Sequence, residues 1–152
     1  MSHETKCTAT RPPTGRTSNP SQQQLDYLAS LYYQGNLEKA LISADTLTIE
    51  FPNNPNLLNF IGIIYKALGK YNKAISKYKA AVELKPDYAE AYNNMGNAHR
   101  DQQKLDLAIQ AYDKAISIKP DFSEAFNNMG ITLKKQGKLE EAIDAYCKAV
   151  SI

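Results

Sequence analysis

Pro52, Pro86 and Pro120 stand 34 residues apart, and the same interval separates Gly62, Gly96 and Gly130. Ala40, Ala74, Ala108 and Ala142 keep it, as do Tyr78, Tyr112 and Tyr146. A fixed period of this length means a supersecondary unit repeated along the chain, each copy burying its apolar face against its neighbours. Residues 89–118 and 123–152 are identical at 17 of 30 positions, which decides against coincidence. The stretch EAYNNMGNA, residues 90–98, returns as EAFNNMGIT, each time with two asparagines inside an expected helix. Asparagine is a poor helix former because its amide competes for backbone hydrogen bonds, so the pair calls for an explanation.

Each unit reads as two helices. Asp87 and Glu90, and again Asp121 and Glu124, have the spacing of a capping box at a helix start. Asn54 followed by Pro55 is a second kind of start signal, with proline at the first helical position. Breaks are expected at Gly35, Gly69 and Gly137, residues that take a left-handed conformation at low cost. The third unit has Gln103 there instead, which should cost about 1 kcal/mol if the turn is left-handed. Tyr92, Met95, Gly96 and His99 fall on one face of the first helix. Ala108, Tyr112 and Ala115 form the matching face of the second, alternating small and large. The expected fold is all-α, a solenoid of antiparallel helix pairs.

Composition limits the function classes. The formal net charge is +2, so no large basic field points to nucleic acid or an anionic membrane. No apolar run approaches the roughly 18 residues of a membrane span, and the N-terminus lacks the apolar core of a secretory signal. A cytoplasmic protein is the expectation. Residues 1–19 contain Pro12, Pro13, Gly15 and many Ser and Thr, and are expected to form a disordered tail preceding a repeat domain at 20–152. Cys7 in that tail and Cys147 in a helix make a disulfide framework unexpected. His3 and Cys7 fall short of a metal's usual ligand set, so neither a metal nor another cofactor is expected.

The pattern of Gly, Tyr, Ala and Pro closely resembles the tetratricopeptide repeat across residues 21–152. With Pro55, Ala89 and Ser123 as position one, the family's small residue at position eight falls on Gly62, Gly96 and Gly130. Its alanine at twenty falls on Ala74, Ala108 and Ala142, its aromatic at twenty-four on Tyr78, Tyr112 and Tyr146. Its proline at thirty-two falls on Pro86 and Pro120. Leu28 and Ala44 depart from the pattern in the first unit, as terminal repeats often do. The repeats fall at about 21–54, 55–88, 89–122 and 123–152, the last incomplete. Stopping at Ile152 is expected to leave Ile143, Tyr146 and Val150 uncovered. Either the chain is the front part of a longer protein, or something docks there, a second copy included.

The resemblance implies a right-handed superhelix whose concave groove is lined by the first helices. Positions two, five, six, nine, twelve and thirteen share a helical face apart from the packing face. That face carries Asn59 and Lys66 in the second unit, and Asn93, Asn94, Asn97 and Arg100 in the third. In the fourth it carries Asn127, Asn128 and Lys134. An amide both donates and accepts, so a row of them can pair with an extended peptide backbone. The row resembles the asparagine ladder of O-linked N-acetylglucosamine transferases, although Asp26 and Phe60 interrupt it. The bland alternative is solvent-facing residues inherited by duplication. Lys66, Arg100 and Lys134 share position twelve and suggest a cationic stripe, or an ordinary solvated row. Glu90 and Glu124 at position two argue against the clamp with which some family members hold a carboxylate-ended tail. Tyr88 and Phe122, near the rim, are expected to pack between repeats, and His99 to be a partly buried structural histidine.

Neither a nucleophile–histidine pair nor a phosphate-binding loop is readable, so catalysis within this segment is not expected. The first reading is a protein-interaction module that binds an extended peptide in its groove. The alternatives are an N-terminal targeting domain of a larger glycosyltransferase or sulfotransferase, and a self-assembling scaffold joined through its C-terminal end.

Overall fold

The computed structural model describes residues 19–152, so the expected tail, with His3 and Cys7, lies outside the described residues except for Asn19. Among them are eight α-helices and no strand. The helices form four pairs: α1 (Gln22–Tyr33) with α2 (Leu37–Glu50), α3 (Pro55–Ala67) with α4 (Tyr71–Leu84), α5 (Ala89–Asp101) with α6 (Leu105–Ile118), and α7 (Ser123–Lys135) with α8 (Leu139–Ser151). Each helix packs on the one before and the one after it. The all-α solenoid of helix pairs is therefore the architecture of this chain.

In the second, third and fourth pairs a tyrosine of the second helix packs directly on a glycine of the first. A Cβ built on Gly96 would lie 2.5 Å from Cε1 of Tyr112, and one on Gly130 would lie 2.7 Å from Cε1 of Tyr146. No methyl group fits at that distance, so the tyrosine of the second helix occupies the space that glycine leaves on the first. Tyr78 and Tyr112 are fully enclosed there, and Ala74, Ala81, Ala108 and Ala115 are equally buried along the same faces. Small residues at these points let the helix axes approach while the rings fill the remaining volume.

Gly35, Gly69 and Gly137 have φ of +76°, +70° and +80°, and Gln103 takes the same left-handed conformation with φ 62°. At Gln103 the turn is closed as at the glycines, with Gln103 N–H donating to Arg100 and Lys104 N–H to His99. Asn54 caps α3 through a bond from Leu57 N–H of 2.9 Å, with Pro55 at the first position. Ser21 and Gln24 form a capping box on α1, a signal present in the sequence and not drawn from it.

The expected capping boxes at Asp87 and Asp121 do not form. α5 and α7 begin at Ala89 and Ser123, with Tyr88 and Phe122 at the cap positions and no side-chain cap bond. Tyr88 is buried beside Leu58, Ala81 and Ala91, and Phe122 beside Ala89, Ala115 and Ala125. Lys85 and Lys119 lie over the two rings, 4.6 and 4.9 Å from their centroids. Burying an aromatic ring contributes about 1.5–3 kcal/mol, against about 1 kcal/mol for a cap, so the ring sets the entry of the chain.

From the second unit onward the first helices touch one another, α3 with α5 and α5 with α7, whereas neighbouring second helices make no comparable contact. The stack is thus tighter along the first helices and splayed along the second, which curves it around the face of the first helices. At the far end of α8, Ile143 and Val150 are exposed, while Tyr146 is half-buried against Gly130.

Two substitutions test this packing by urea unfolding. Gly96→Ala should destabilise the chain by about 2 kcal/mol, and adding Tyr112→Leu should remove most of that increment by clearing the space. Gln103→Gly should stabilise by about 1 kcal/mol, since it relieves a left-handed side chain without altering a contact.

Candidate binding groove

On the inner face the asparagines are bonded to one another. Asn94 Nδ2 donates to Asn59 Oδ1 at 3.1 Å, and Asn128 Nδ2 donates to Asn93 Oδ1 at 3.0 Å. In both cases position six of one unit reaches back to position five of the unit before. Asn93 Nδ2 in turn donates to Glu124 Oε1 at 2.9 Å, and Arg100 Nη1 donates to Asn128 Oδ1 at 3.3 Å. Asn59, Asn93 and Asn128 are buried, Asn93 to 2% exposure. Amides placed where two helices meet need partners, because an unpaired buried one costs about 1–3 kcal/mol. The repeated pair supplies those partners across the unit boundary.

The other expected residues divide by accessibility. Asn97 is half-buried and accepts the Tyr112 hydroxyl at 2.9 Å, while burial pushes that hydroxyl up to about 12. Asn94 is half-buried with its Oδ1 unengaged among the described residues, and Asn127 is exposed. Lys66 pairs with Asp101 of the next unit at 3.3 Å, and Arg100 Nε lies 3.9 Å from the same carboxylate. Partly exposed pairs of this kind contribute about 0–1 kcal/mol. Lys134 is exposed and has no carboxylate partner among the described residues. The position-twelve row is therefore charge-compensated at Lys66 and Arg100 and open at Lys134.

Other features of this face escaped the reading of the sequence. Positions twelve and thirteen of the first unit are Tyr32 and Tyr33, and Phe60 stands at position six of the second. Tyr32 packs edge-on against Phe60 at 5.7 Å and against Tyr33 at 5.5 Å, and Tyr33 is 84% exposed. Phe60 was read only as a break in the asparagine row, and the register that places Asp26 on this face also places Tyr32 and Tyr33 there. Gln102 donates to Asn72, and Gln136 to Asp106, both at 2.7 Å and both across a unit boundary. Two glutamines 34 residues apart were the available signal for these clamps.

His99 is half-buried, and its Nδ1 has no hydrogen-bond partner among the described residues. Burial, then the charges of Lys104 and Lys79, hold it below the usual imidazole range. Cys147 is exposed and unpaired among the described residues. Among the described residues no group of three or more His, Cys, Asp or Glu could hold a metal, and no helix is long and apolar enough to cross a membrane.

Asn127→Ala and Asn128→Ala separate structural from accessible amides. Asn128→Ala leaves Asn93 Oδ1 without its donor inside the stack and should cost about 1–3 kcal/mol in urea unfolding. Asn127→Ala, one residue away on an exposed site, should stay within about 0.5 kcal/mol of wild type.

Comparison with known proteins places this architecture. A family model described as TPR repeat matches residues 62–100 and 96–137, and one described as tetratricopeptide repeat matches 123–152. A probable UDP-N-acetylglucosamine–peptide N-acetylglucosaminyltransferase SEC of Arabidopsis thaliana is 36% identical over 72 residues, 47% of this chain. The chain spans about 7% of that protein's length. A crystal structure of MamA superposes with a TM-score of 0.77 at 25% identity, covering 86% of this chain and 76% of MamA. The first TPR of Spaghetti (RPAP3), solved bound to the HSP90 peptide SRMEEVD, gives a TM-score of 0.70 at 26% identity. That match covers 78% of this chain and 96% of the RPAP3 chain. The glycine-to-tyrosine contacts and the left-handed turns at Gly69, Gln103 and Gly137 all fall within the residues that the family models match, and the chain belongs to the tetratricopeptide repeat family.

Proposed function

We propose that this chain is a protein-interaction module that holds an extended peptide segment of a partner along the face of its first helices. The observation that carries the proposal is the uneven distribution of free groups along that face. Tyr33 presents an exposed ring at one end, beside Tyr32 and Phe60. Asn94 offers an unengaged amide oxygen at the middle, and Asn127 and Lys134 are open at the other end. A segment with an apolar side chain at one end and a carboxylate at the other would meet complementary groups at both. The bonded amides of Asn59, Asn93 and Asn128 form the floor under it, and they contribute stiffness in place of direct contacts. Pre-ordering the floor lowers the cost of immobilising side chains on binding. The RPAP3 domain solved with a peptide supports the reading as a precedent on the same fold.

A second reading rests on the Arabidopsis transferase. In it, this chain is the partner-recognising part of a larger glycosyltransferase, and the groove presents a protein substrate to catalysis elsewhere. Both readings place recognition on the same face.

Selection of random ten-residue peptides on the purified chain tests the proposal. Selected peptides should combine an aromatic or large aliphatic residue with a carboxylate several positions away. Their Kd should rise about tenfold on Tyr33→Ala and again on Lys134→Glu. Peptides that bind both variants as tightly as wild type would place recognition elsewhere.

A further inference from the structure

The splaying of the second helices leaves furrows on the opposite face, and the furrow between α4 and α6 differs from its neighbour. Its floor is α5. One stretch, about 560 Å³, is lined by Ser76, Lys79 and Glu83 of α4, by His99 of α5 and by Lys104 at the start of α6. The adjoining stretch, about 270 Å³, shares Lys79 and His99 and adds Lys114, with Met95 and Leu107 forming apolar wall. The two stretches together are thus lined by three lysines and by one carboxylate, that of Glu83. None of the three belongs to an ion pair among the described residues, where Lys66, Arg100 and Lys119 are the bridging cations.

The chain contains its own comparison. Thirty-four residues after Lys79 and His99 stand Asp113 and Leu133. The furrow they line, between α6 and α8, carries Asp113, Glu141 and Asp144 with the single cation Lys148. The same backbone geometry therefore supports an acidic furrow in one place and a basic one in the next. The basic character belongs to these side chains and not to the fold.

We infer that the furrow between α4 and α6 binds a carboxylate-rich segment of a partner protein, with an apolar side chain seated between Met95 and Leu107 and its acidic neighbours among Lys79, Lys104 and Lys114. Charge complementarity beside an exposed apolar wall at Leu107 is what such a site offers. The site is separate from the face of the first helices and does not depend on peptide binding there.

A pH signature follows. The charged groups around His99 are Lys79 and Glu83 on α4, Lys104 at the turn and Lys114 on α6. Without ligand, burial and the lysines keep the imidazole neutral below its usual range. An arriving carboxylate favours the imidazolium and raises that pKa. Binding then takes up a proton, so affinity increases as pH falls through the titration of bound His99.

The test is fluorescence anisotropy with a labelled, end-blocked peptide Glu-Asp-Leu-Leu-Asp-Glu and its amide control Gln-Asn-Leu-Leu-Asn-Gln. The double variant Lys79→Asp, His99→Leu installs residues that the next repeat already carries at the same register, and circular dichroism checks its helicity. The acidic peptide should bind wild type about tenfold tighter than the control, and tighter at pH 6 than at pH 8. The double variant should lose that preference and the pH dependence, His99→Leu alone should lose the pH dependence, and the charge reversal Lys39→Glu, at an exposed site on α2, should change neither. On peptide addition the His99 imidazole resonance should shift while that of His3 stays fixed. Equal binding of the two peptides to wild type, unchanged binding by the double variant, or an equal loss of binding in Lys39→Glu would each overturn the inference.

Discussion

The contact between a glycine of the first helix and a tyrosine of the second, made in the last three of the four pairs, sets the geometry of the stack. Tyr112 lies so close to Gly96 that no side chain fits between them. This fixes the approach of α5 and α6, and the same contact recurs between Gly62 and Tyr78 and between Gly130 and Tyr146. Once the pair is fixed, the alanines at Ala81 and Ala115 let the next unit close upon it. The curvature follows, because from the second unit onward first helices touch across units more closely than second helices do. Both surfaces considered for binding, the inner face and the outer furrows, are consequences of that asymmetry.

The asparagine pairs answer a requirement created by the curvature. Where first helices touch, polar residues on the facing sides lose water and must find partners. Positions five and six supply them reciprocally, Asn94 to Asn59 and Asn128 to Asn93, with Asn93 also held by Glu124. The propensity lost by placing asparagine mid-helix is offset by satisfied amides at the unit boundary. The same bonds specify register, since a shift of one residue would break them together. A floor made rigid in this way is suited to presenting Asn127, Lys134 and Tyr33 at fixed spacing.

Much of the fold was legible because it depends on local chemistry repeated at fixed intervals. Gly96 and Tyr112 announced a close approach, and the left-handed turn at Gln103 followed from glycine at Gly69 and Gly137. The capping boxes at Asp87 and Asp121 were misread because a local signal competed with the burial of Tyr88 and Phe122, which only the neighbouring repeat reveals. The inner face was legible as a face, since helical periodicity assigns directions. Periodicity does not tell whether an amide meets solvent or the next helix. Asn93 and Asn127 occupy the same repeat position, yet one is buried between α5 and α7 and the other lies open on the last unit. The charge of the α4–α6 furrow was equally hidden, because Lys79, Lys104 and Lys114 converge only when α4, α5 and α6 are assembled.

The central claim is that the recurring asparagines bind neighbouring units together while the residues beside them remain free. Hydrogen exchange of side-chain amides, followed by nitrogen-resolved NMR on the full chain, tests it most directly. Slow exchange is expected for the Nδ2 protons of Asn93, Asn94 and Asn128, each donating across a unit boundary, and fast exchange for Asn127. Equally fast exchange at all four would contradict it, because the amides would then be meeting water and not each other.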